Sequence, residues 1–329
     1  MTRELAICVD LGGTNVRVGL GDDQGRILAK LTEETEKKKG PEGISEQIVR
    51  MIHSIQPEAG EIQGIGIGST GPLDPDKGGL MKPAKIPYDF VPLVEPLTDE
   101  FDLPIYLLND CTSAVVGEKF FGAGKNHENL AYVTISTGIG GGVYVDGHLL
   151  MGKDRNAAEI GHFTIDHEGA LPCGCGKRGH WQAYCSGKGI PNYVKLLLKE
   201  KKREDLQGCV VSDAIGGDRG EITAKTLFDA AKAGDPISKD LVGKIGVLNA
   251  IGFACVVDAY DPSLITVGGA ITSNNTGLVI DPITRHVQEH TRNRVPEIII
   301  TPLGEDIVLY GALATVFHHS EVLKQPPNS

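Results

Sequence analysis

The chain reads as an α/β protein with mixed rather than purely parallel sheets, organised as two related halves. Three observations give this reading. Strand-like apolar runs alternate with segments of helical spacing along the whole length. Some strands turn straight back into a hairpin, which a purely parallel sheet does not contain. A strand, a glycine-rich turn and a returning strand occur near the start and again from residue 129, so two related domains facing each other are expected.

The elements follow in order. Residues 4–10 (ELAICVD) form a buried strand, and 15–20 its hairpin partner across the polar, glycine-rich LGGT. A third strand at 26–31 follows the turn GDDQG. Segment 41–55 opens on Pro41 and sets Ile44, Ile48, Met51, Ile52 and Ile55 at helical spacing. Strands follow at 62–68 and 105–109, and the residues after Asp110 are helical. From 129 come the strand NLAYVTIS, the turn TGIGGG and the returning hairpin VYVDGHLL. Helices are expected at 188–201, 223–233 and 235–258, a strand at 263–269, a helix at 276–292, a strand over EIIIT and a last helix over DIVLYGALATVFHH. The lysines at 37–39 and the run 199–205 read as solvated faces, and the tail LKQPPNS as frayed. The domains are expected at 1–110, with the C-terminal helix (305–320) packing back on it, and at 111–304.

Composition narrows the function classes. The 329 residues suffice for a large core and two domains, and a hydrophobic fraction of 40% does not indicate disorder. The net charge of −11 argues against nucleic acid or an anionic membrane as partner. No signal peptide is expected ahead of the first strand, and no apolar run approaches the roughly 20 residues that span a bilayer. The seven cysteines (8, 111, 173, 175, 185, 209 and 255) are an odd number, as expected of reduced or metal-bound thiols in the cytoplasm.

The segment from Glu159 to Gly187, EIGHFTIDHEGALPCGCGKRGHWQAYCSG, carries the strongest chemical signal. His162, Cys173, Cys175 and His180 suit one closed tetrahedral zinc site. The Cys-x-Cys spacing disfavours a disulfide between those two. Glu159, three residues before His162, is a carboxylate on the same loop.

A second signal is a set of glycine-rich turns at strand ends. Asp10-Leu11-Gly12-Gly13-Thr14 lets the backbone approach an anion, Thr14 adds a hydroxyl, and Asp10 can hold magnesium through water. Alone, this is also an ordinary tight hairpin. Thr137-Gly138-Ile139-Gly140-Gly141-Gly142 and Gly268-Gly269 repeat the device, so a nucleotide-triphosphate cradle is the better reading. Neither GxxxxGK[ST] nor a GxGxxG between strand and helix is present. Leu108-Asn109-Asp110 ends a strand and opens a helix. The local pattern leaves two roles open for Asp110: a helix cap, or a general base for a hydroxyl with Asn109 orienting the same substrate.

These motifs together resemble the ROK sugar kinases, within the hexokinase/actin-like superfamily with its ribonuclease H-like domains. The resemblance covers nearly the whole chain: DLGGT (10–14), GIGSTGPLD (66–74), LND (108–110), TISTGIGGG (134–142), EIGH (159–162), CGCGKRGHW (173–181) and ITVGGAI (265–271). It implies ATP- and Mg2+-dependent phosphorylation of a hexose hydroxyl in a cleft between two domains, with structural Zn2+, by a cytoplasmic homodimer. It implies that Asp110 is the base, that Asn109, Glu159 and His162 face the sugar, and that His162 also ligates zinc. Gly12, Gly13, Thr14, Thr137 and Gly138 would surround the phosphates, and Gly268 and Gly269 would lie near the nucleoside.

Three positions depart from the family pattern. His180 stands where cysteine is usual and keeps a zinc-competent ligand. Gln182 replaces a glutamate that binds sugar hydroxyls, and Lys85, in PAKIP, aligns with an asparagine. Glucose is the first expectation. An N-acetylhexosamine, fructose or an anionic sugar would also fit. The family's sugar-responsive repressors carry an N-terminal DNA-binding segment, whereas here a strand starts by residue 4. The zinc segment speaks against other kinases of the superfold.

Overall fold

The computed structural model describes residues 4–55, 61–83, 85–199 and 222–323. Cys209, residues 200–205 of the charged run and the tail from 324 lie outside the described residues. The chain divides into two compact units, one of Met1–Leu130, Gly142–Ala157 and Thr301–Ser329, the other of Ala131–Gly141 and Ala158–Ile300.

In the first unit, β1 (Glu4–Leu11), β2 (Asn15–Asp22) and β3 (Ile27–Glu34) form an antiparallel meander. On its other side β1 pairs in parallel with β4 (Glu61–Ser69), which precedes the short antiparallel strands β5 (Leu73–Asp74), β6 (Gly79–Met81) and β7 (Phe90–Pro92). β4 pairs in parallel with β8 (Ile105–Asn109). The sheet order is β3-β2-β1-β4-β8. The register sets Asp10 beside Gly68, and Ser69 beside Asn109. Parallel pairing thus brings the carboxyl ends of β1, β4 and β8 to one edge of the sheet.

Alternation along β1 explains the packing. Ile7, Val9 and Leu11 join a core with Ile44, Ile48, Met51 and Ile52 of α1 (Glu42–Ile55), which α2 (Val94–Phe101) completes through Leu97. Ala6 and Cys8 point the other way, onto Leu309, Ala312 and Leu313 of the C-terminal helix. That face is lined with small residues because helices lie almost on the backbone. A Cβ on Gly66 of β4 would stand 2.0 Å from the Ala312 carbonyl oxygen. A Cβ on Gly311 would stand 1.7 Å from the Ser113 carbonyl oxygen of α3 (Asp110–Phe120).

This contact moves the expected domain boundary. The sequence placed it after Asp110, but the first unit continues to Leu130. α3 packs against the C-terminal helix and β4 and so belongs with them. The small sheet β5–β7 and α2 were not expected. Their strands are two or three residues long, too short to show a period.

The second five-stranded sheet contains β9 (Leu130–Ile135), β10 (Ile139–Val145), β11 (His148–Leu149), β12 (Leu264–Gly268) and β13 (Glu297–Ile300), in the order β11-β10-β9-β12-β13. Numbered within each sheet, both orders are 3-2-1-4-5. The duplicated mixed sheet expected from the repeated strand–turn–strand unit is present. The division between units crosses the chain within β10, at Gly141–Gly142.

The helices of the second unit are α4 (Gln182–Cys185), α5 (Ile190–Lys199), α6 (Ala224–Lys232), α7 (Pro236–Tyr260), α8 (Ala270–Asn274) and α9 (Thr276–His286). α7 starts as its sequence dictates: Asp235 accepts from the Ser238 amide at 2.9 Å, and Pro236 occupies the first turn. It corrects one expectation. With 25 residues, α7 is long and apolar enough to cross a membrane, by length and composition. Its Leu241, Val242, Ile245, Phe253, Val256 and Val257 are instead buried, and α6 and α9 pack along it. The C-terminal helices of the first unit are α10 (Ile307–Phe317) and α11 (His319–Val322).

The helix crossing supplies a test. Gly311→Ala should destabilise the protein by about 1–3 kcal/mol or more, because backbone must move. Gly243→Ala, in α7 with nothing within 4 Å of the added carbon, should be neutral or stabilising by up to about 1 kcal/mol. Denaturant titration of both variants checks the contrast.

Candidate functional site

In the first unit the turn after β1 is held from both sides. The Gly12 amide donates to the Asn15 carbonyl at 2.9 Å. Thr35 returns two bonds, its hydroxyl donating to the Gly12 carbonyl at 2.8 Å and its amide to the Thr14 carbonyl at 2.9 Å. Thr14 itself is exposed. The stem of Lys85 lies over the turn: a Cβ on Gly13 would be 2.7 Å from the Lys85 Cβ.

Asp10, at the end of β1, faces Arg17 across the hairpin, as the register requires. The Arg17 Nη1 lies 3.4 Å from Asp10 Oδ2 and donates at 2.7 Å to the Glu305 carbonyl. Burial pushes the Asp10 carboxyl up to about 7; Arg17 opposes the rise, and the charges of Asp110 and Asp306 add to it. Asp306 is anchored by Lys30 of β3, whose Nζ reaches both carboxylate oxygens, at 2.9 and 2.6 Å.

Asn109 and Asp110 both turn side-chain oxygens to the start of α3. Asn109 is the N-cap of α3, in extended conformation, and its Oδ1 accepts from the Cys111 amide at 3.0 Å. Asp110 is the first residue of the helix and accepts from the same amide at 2.8 Å. It is partly exposed at the edge where the parallel strands end.

In the second unit the four expected ligands converge. The ligand atoms of His162, Cys173, Cys175 and His180 all lie within 4.8 Å of one another. The two imidazoles approach Nδ1 to Nδ1 at 3.1 Å with their rings at 82°. Cys175 Sγ is 3.4 Å from His180 Nδ1, and Cys173 Sγ is 3.9 Å from His162 Nδ1. Tetrahedral zinc, with bonds of about 2.0–2.1 Å to nitrogen and 2.3 Å to sulfur, implies edges of about 3.3 Å (N to N) and 3.6 Å (N to S). The donor set and its spacing fit zinc.

The loop that holds these ligands is braced by its own backbone. The Cys173 amide donates to the Lys177 carbonyl at 2.7 Å, and the Trp181 amide to the Phe163 carbonyl at 2.9 Å. Gly179 has φ of 75°, and a Cβ there would stand 2.0 Å from the Asp166 carbonyl oxygen, so only glycine closes the loop. Tyr184 donates to the Asp166 carboxylate and accepts from the Leu171 amide. Trp181 is fully buried; its Nε1 donates to Asn249 of α7 at 2.9 Å, and its ring packs edge-on to Phe253.

Both histidines turn Nδ1 toward the ligand cluster, which leaves His162 Nε2 facing away from it. That nitrogen lies 3.6 Å from the Glu159 carboxylate and 3.4 Å from Gln182 Nε2. Gln182 Oε1 is directed toward Gly138, where an added Cβ would be 3.1 Å away. Thr137 and Gly138 sit in a turn fixed by the Ser136 amide, which donates to the Gly138 carbonyl at 2.9 Å. Gly268 ends β12, and Gly269, with φ of 92°, starts α8 against the Ile135 carbonyl.

The structure therefore gathers Asp10, the glycine turn, Lys85, Asn109 and Asp110 within one unit, and Glu159, His162, Cys173, Cys175, His180, Gln182 and Gly138 within the other. Sequence reasoning missed Arg17, Asp306 and Asn249. Arg17 carried a usable signal, since a hairpin centred on LGGT places it opposite Asp10. Asp306 and Asn249 carried none, because only tertiary packing brings them near their partners.

The ROK family model matches residues 6–318, and the chain belongs to that family. It is 32% identical over 314 residues to a glucokinase of Thermotoga maritima, covering 94% of this chain and 96% of that one. A crystal structure of a ROK family glucokinase from Streptomyces griseus, in complex with glucose and AMPPNP, matches with a TM-score of 0.75 and 30% identity, over 94% of this chain and 98% of that one. A ROK hexokinase structure from Thermus thermophilus matches with a TM-score of 0.79 and 28% identity, over 96% and 99%.

Asp10 yields a pH test. Its folded pKa lies above the ordinary carboxylate value, so its contribution to stability is full below about pH 4 and is lost as pH rises through about 7. Without added divalent cation, Asp10→Asn should therefore gain stability relative to wild type between about pH 5 and pH 8, by on the order of 1–3 kcal/mol. Denaturant midpoints across that range measure the slope.

Proposed function

We propose that this chain, an ATP-dependent sugar kinase, phosphorylates a hexose hydroxyl, most simply that of glucose to give glucose 6-phosphate, with Asp110 as the general base. The supporting observation is the position of Asp110 at the start of α3. Asn109 caps the helix, and Asp110 adds a partly exposed carboxylate at the edge where β1, β4 and β8 end. The sugar oxygen attacks the γ-phosphorus, the bond to the β,γ-bridging oxygen breaks with its electron pair leaving on ADP, and the hydroxyl proton passes to Asp110. Asn109, Glu159, His162 and Gln182 would bind the sugar hydroxyls, with Lys85 a further candidate. The backbone amides of Gly12, Gly13, Thr14, Thr137 and Gly138 would bind phosphate oxygens, and Gly268 and Gly269 would lie by the nucleoside.

Two metals fit this reading. Asp10 is a hard oxygen donor that would hold Mg2+ through water, and the ion neutralises phosphate charge when bound. His162, Cys173, Cys175 and His180 would hold structural Zn2+, stiffening the loop that carries Glu159 and Gln182. Glucokinase-named relatives at about this level of identity favour glucose as the sugar.

Asp110→Asn should lower kcat at least about a hundredfold while leaving sugar affinity and Tm close to wild type. Asn109→Ala, by contrast, should lose about 1 kcal/mol of stability with its cap. Near-normal turnover in Asp110→Asn would remove the residue from catalysis.

The purified chain should carry about one zinc, and Cys173→Ala or His180→Ala should lower zinc content and Tm together. Trp181 is the single tryptophan and is buried behind the metal loop, so its emission should shift red when a strong chelator removes the ion. A zinc-free chain with unchanged Tm and emission would refute the site.

A further inference from the structure

The sequence offered Lys85 for the sugar, but its side chain lies on the glycine turn of the first unit. A Cβ built on Gly13 would stand 2.7 Å from Lys85 Cβ, 3.0 Å from its Cδ and 3.3 Å from its Cγ. Carbons along the stem this near to one point mean that it runs across the glycine rather than away from it. The ammonium follows two bonds beyond Cδ, on a residue that is exposed. Both sides of this contact are anchored by one stretch of chain. Thr35 clamps the turn through the Gly12 and Thr14 carbonyls. A few residues on, the Lys37 carbonyl accepts from the Tyr88 hydroxyl at 2.6 Å, and the Gly40 amide donates to that hydroxyl at 3.1 Å. Between Lys85 and Tyr88, Ile86 is buried in the core, and its amide donates to the Pro83 carbonyl at 3.2 Å. The stem is therefore laid over Gly13 by packing, and only a residue without a side chain leaves it that place.

We infer that Lys85 binds the phosphoryl donor: its ammonium pairs with the terminal phosphate oxygens of ATP over Gly13. The inference rests on the kinase reading above and deepens it, and the sugar role kept open for Lys85 gives way to it. A lysine is a point charge on a flexible stem, suited to phosphate oxygens and indifferent to the exact angle of approach. A neutral hexose offers it no charge, whereas a triphosphate offers several. During transfer the bond from the sugar oxygen to phosphorus forms, the bond to the bridging oxygen breaks with its electron pair leaving on ADP, and the proton passes to Asp110. Lys85 exchanges no proton and offsets charge on the oxygens of the transferring group.

The wild-type chain is measured first, by calorimetry with Mg2+ and AMPPNP and by ADP release over a panel of hexoses. A chain that binds no AMPPNP, or phosphorylates no hexose, overturns the kinase reading and this inference with it, before any variant is made. Lys85→Met, Lys85→Gln and Lys85→Arg are then compared. In Lys85→Met the AMPPNP Kd and the KM for ATP should rise about 10–100-fold, the scale of one hydrogen bond to a charged partner, while the sugar KM stays within about twofold and Tm is unchanged. Lys85→Arg keeps the charge and should recover most of the donor affinity. Added salt should narrow the gap between wild type and Lys85→Met. If Lys85→Met does not fold, Lys85→Gln carries the test. An AMPPNP Kd within about twofold of wild type in the folded variant, or a loss confined to the sugar KM, would overturn the assignment and leave the kinase reading standing. Equal losses in Lys85→Arg and Lys85→Met would trace the effect to the stem rather than the charge, and would overturn it as well.

Discussion

The first unit depends on the approach of α10 to a sheet face and to α3, with a glycine on one side of each contact. Gly66 on β4 and Gly311 on α10 each leave room for a backbone carbonyl where a methyl group would collide. This crossing carries the segment at 304–306 back to the first hairpin. There the Glu305 carbonyl accepts from Arg17, and Asp306 is held by Lys30. Residues almost 300 positions apart thus shape the charge around Asp10, and packing between small residues becomes electrostatics at a candidate phosphate site.

The second unit solves a different problem. A loop rich in glycine and polar residues has no apolar face of its own to bury. Three contacts stabilise it: its backbone bonds across Phe163–Trp181 and Cys173–Lys177, the Tyr184–Asp166 pair, and the insertion of Trp181 against α7. The ligand cluster sits at the free end of this support. Because His162 presents Nδ1 to the cluster and Nε2 to Glu159 and Gln182, any restraint on the metal side is transmitted to the polar side through one rigid ring.

The same sheet order in both halves makes the pairing of glycine turns a consequence of topology. In each case the first strand of the sheet runs into a turn and returns as the second, so each turn falls at the carboxyl end of its first strand. DLGGT and TGIGGG therefore occupy equivalent places in the two sheets. Parallel neighbours then contribute their own carboxyl ends, which is how Asn109 comes level with Ser69 in the first unit.

The sequence by itself determined the α/β class, the repeat, most long elements and the four-ligand cluster. Each rests on a local signal: period-2 or helical spacing, glycine at turns, and donor residues of one chemistry close together in the chain. It also narrowed Asp110 to two roles. Tertiary structure put Asn109 at the N-cap position and set both side chains on the Cys111 amide. It decided the fate of the long apolar α7, whose composition is that of a span but whose side chains are buried against its neighbours. It extended the first unit past Asp110, because a helix belongs with what it packs on. Spacing along the chain records which groups are available, whereas the direction of a hydrogen bond is set by atoms that the chain brings together only when folded.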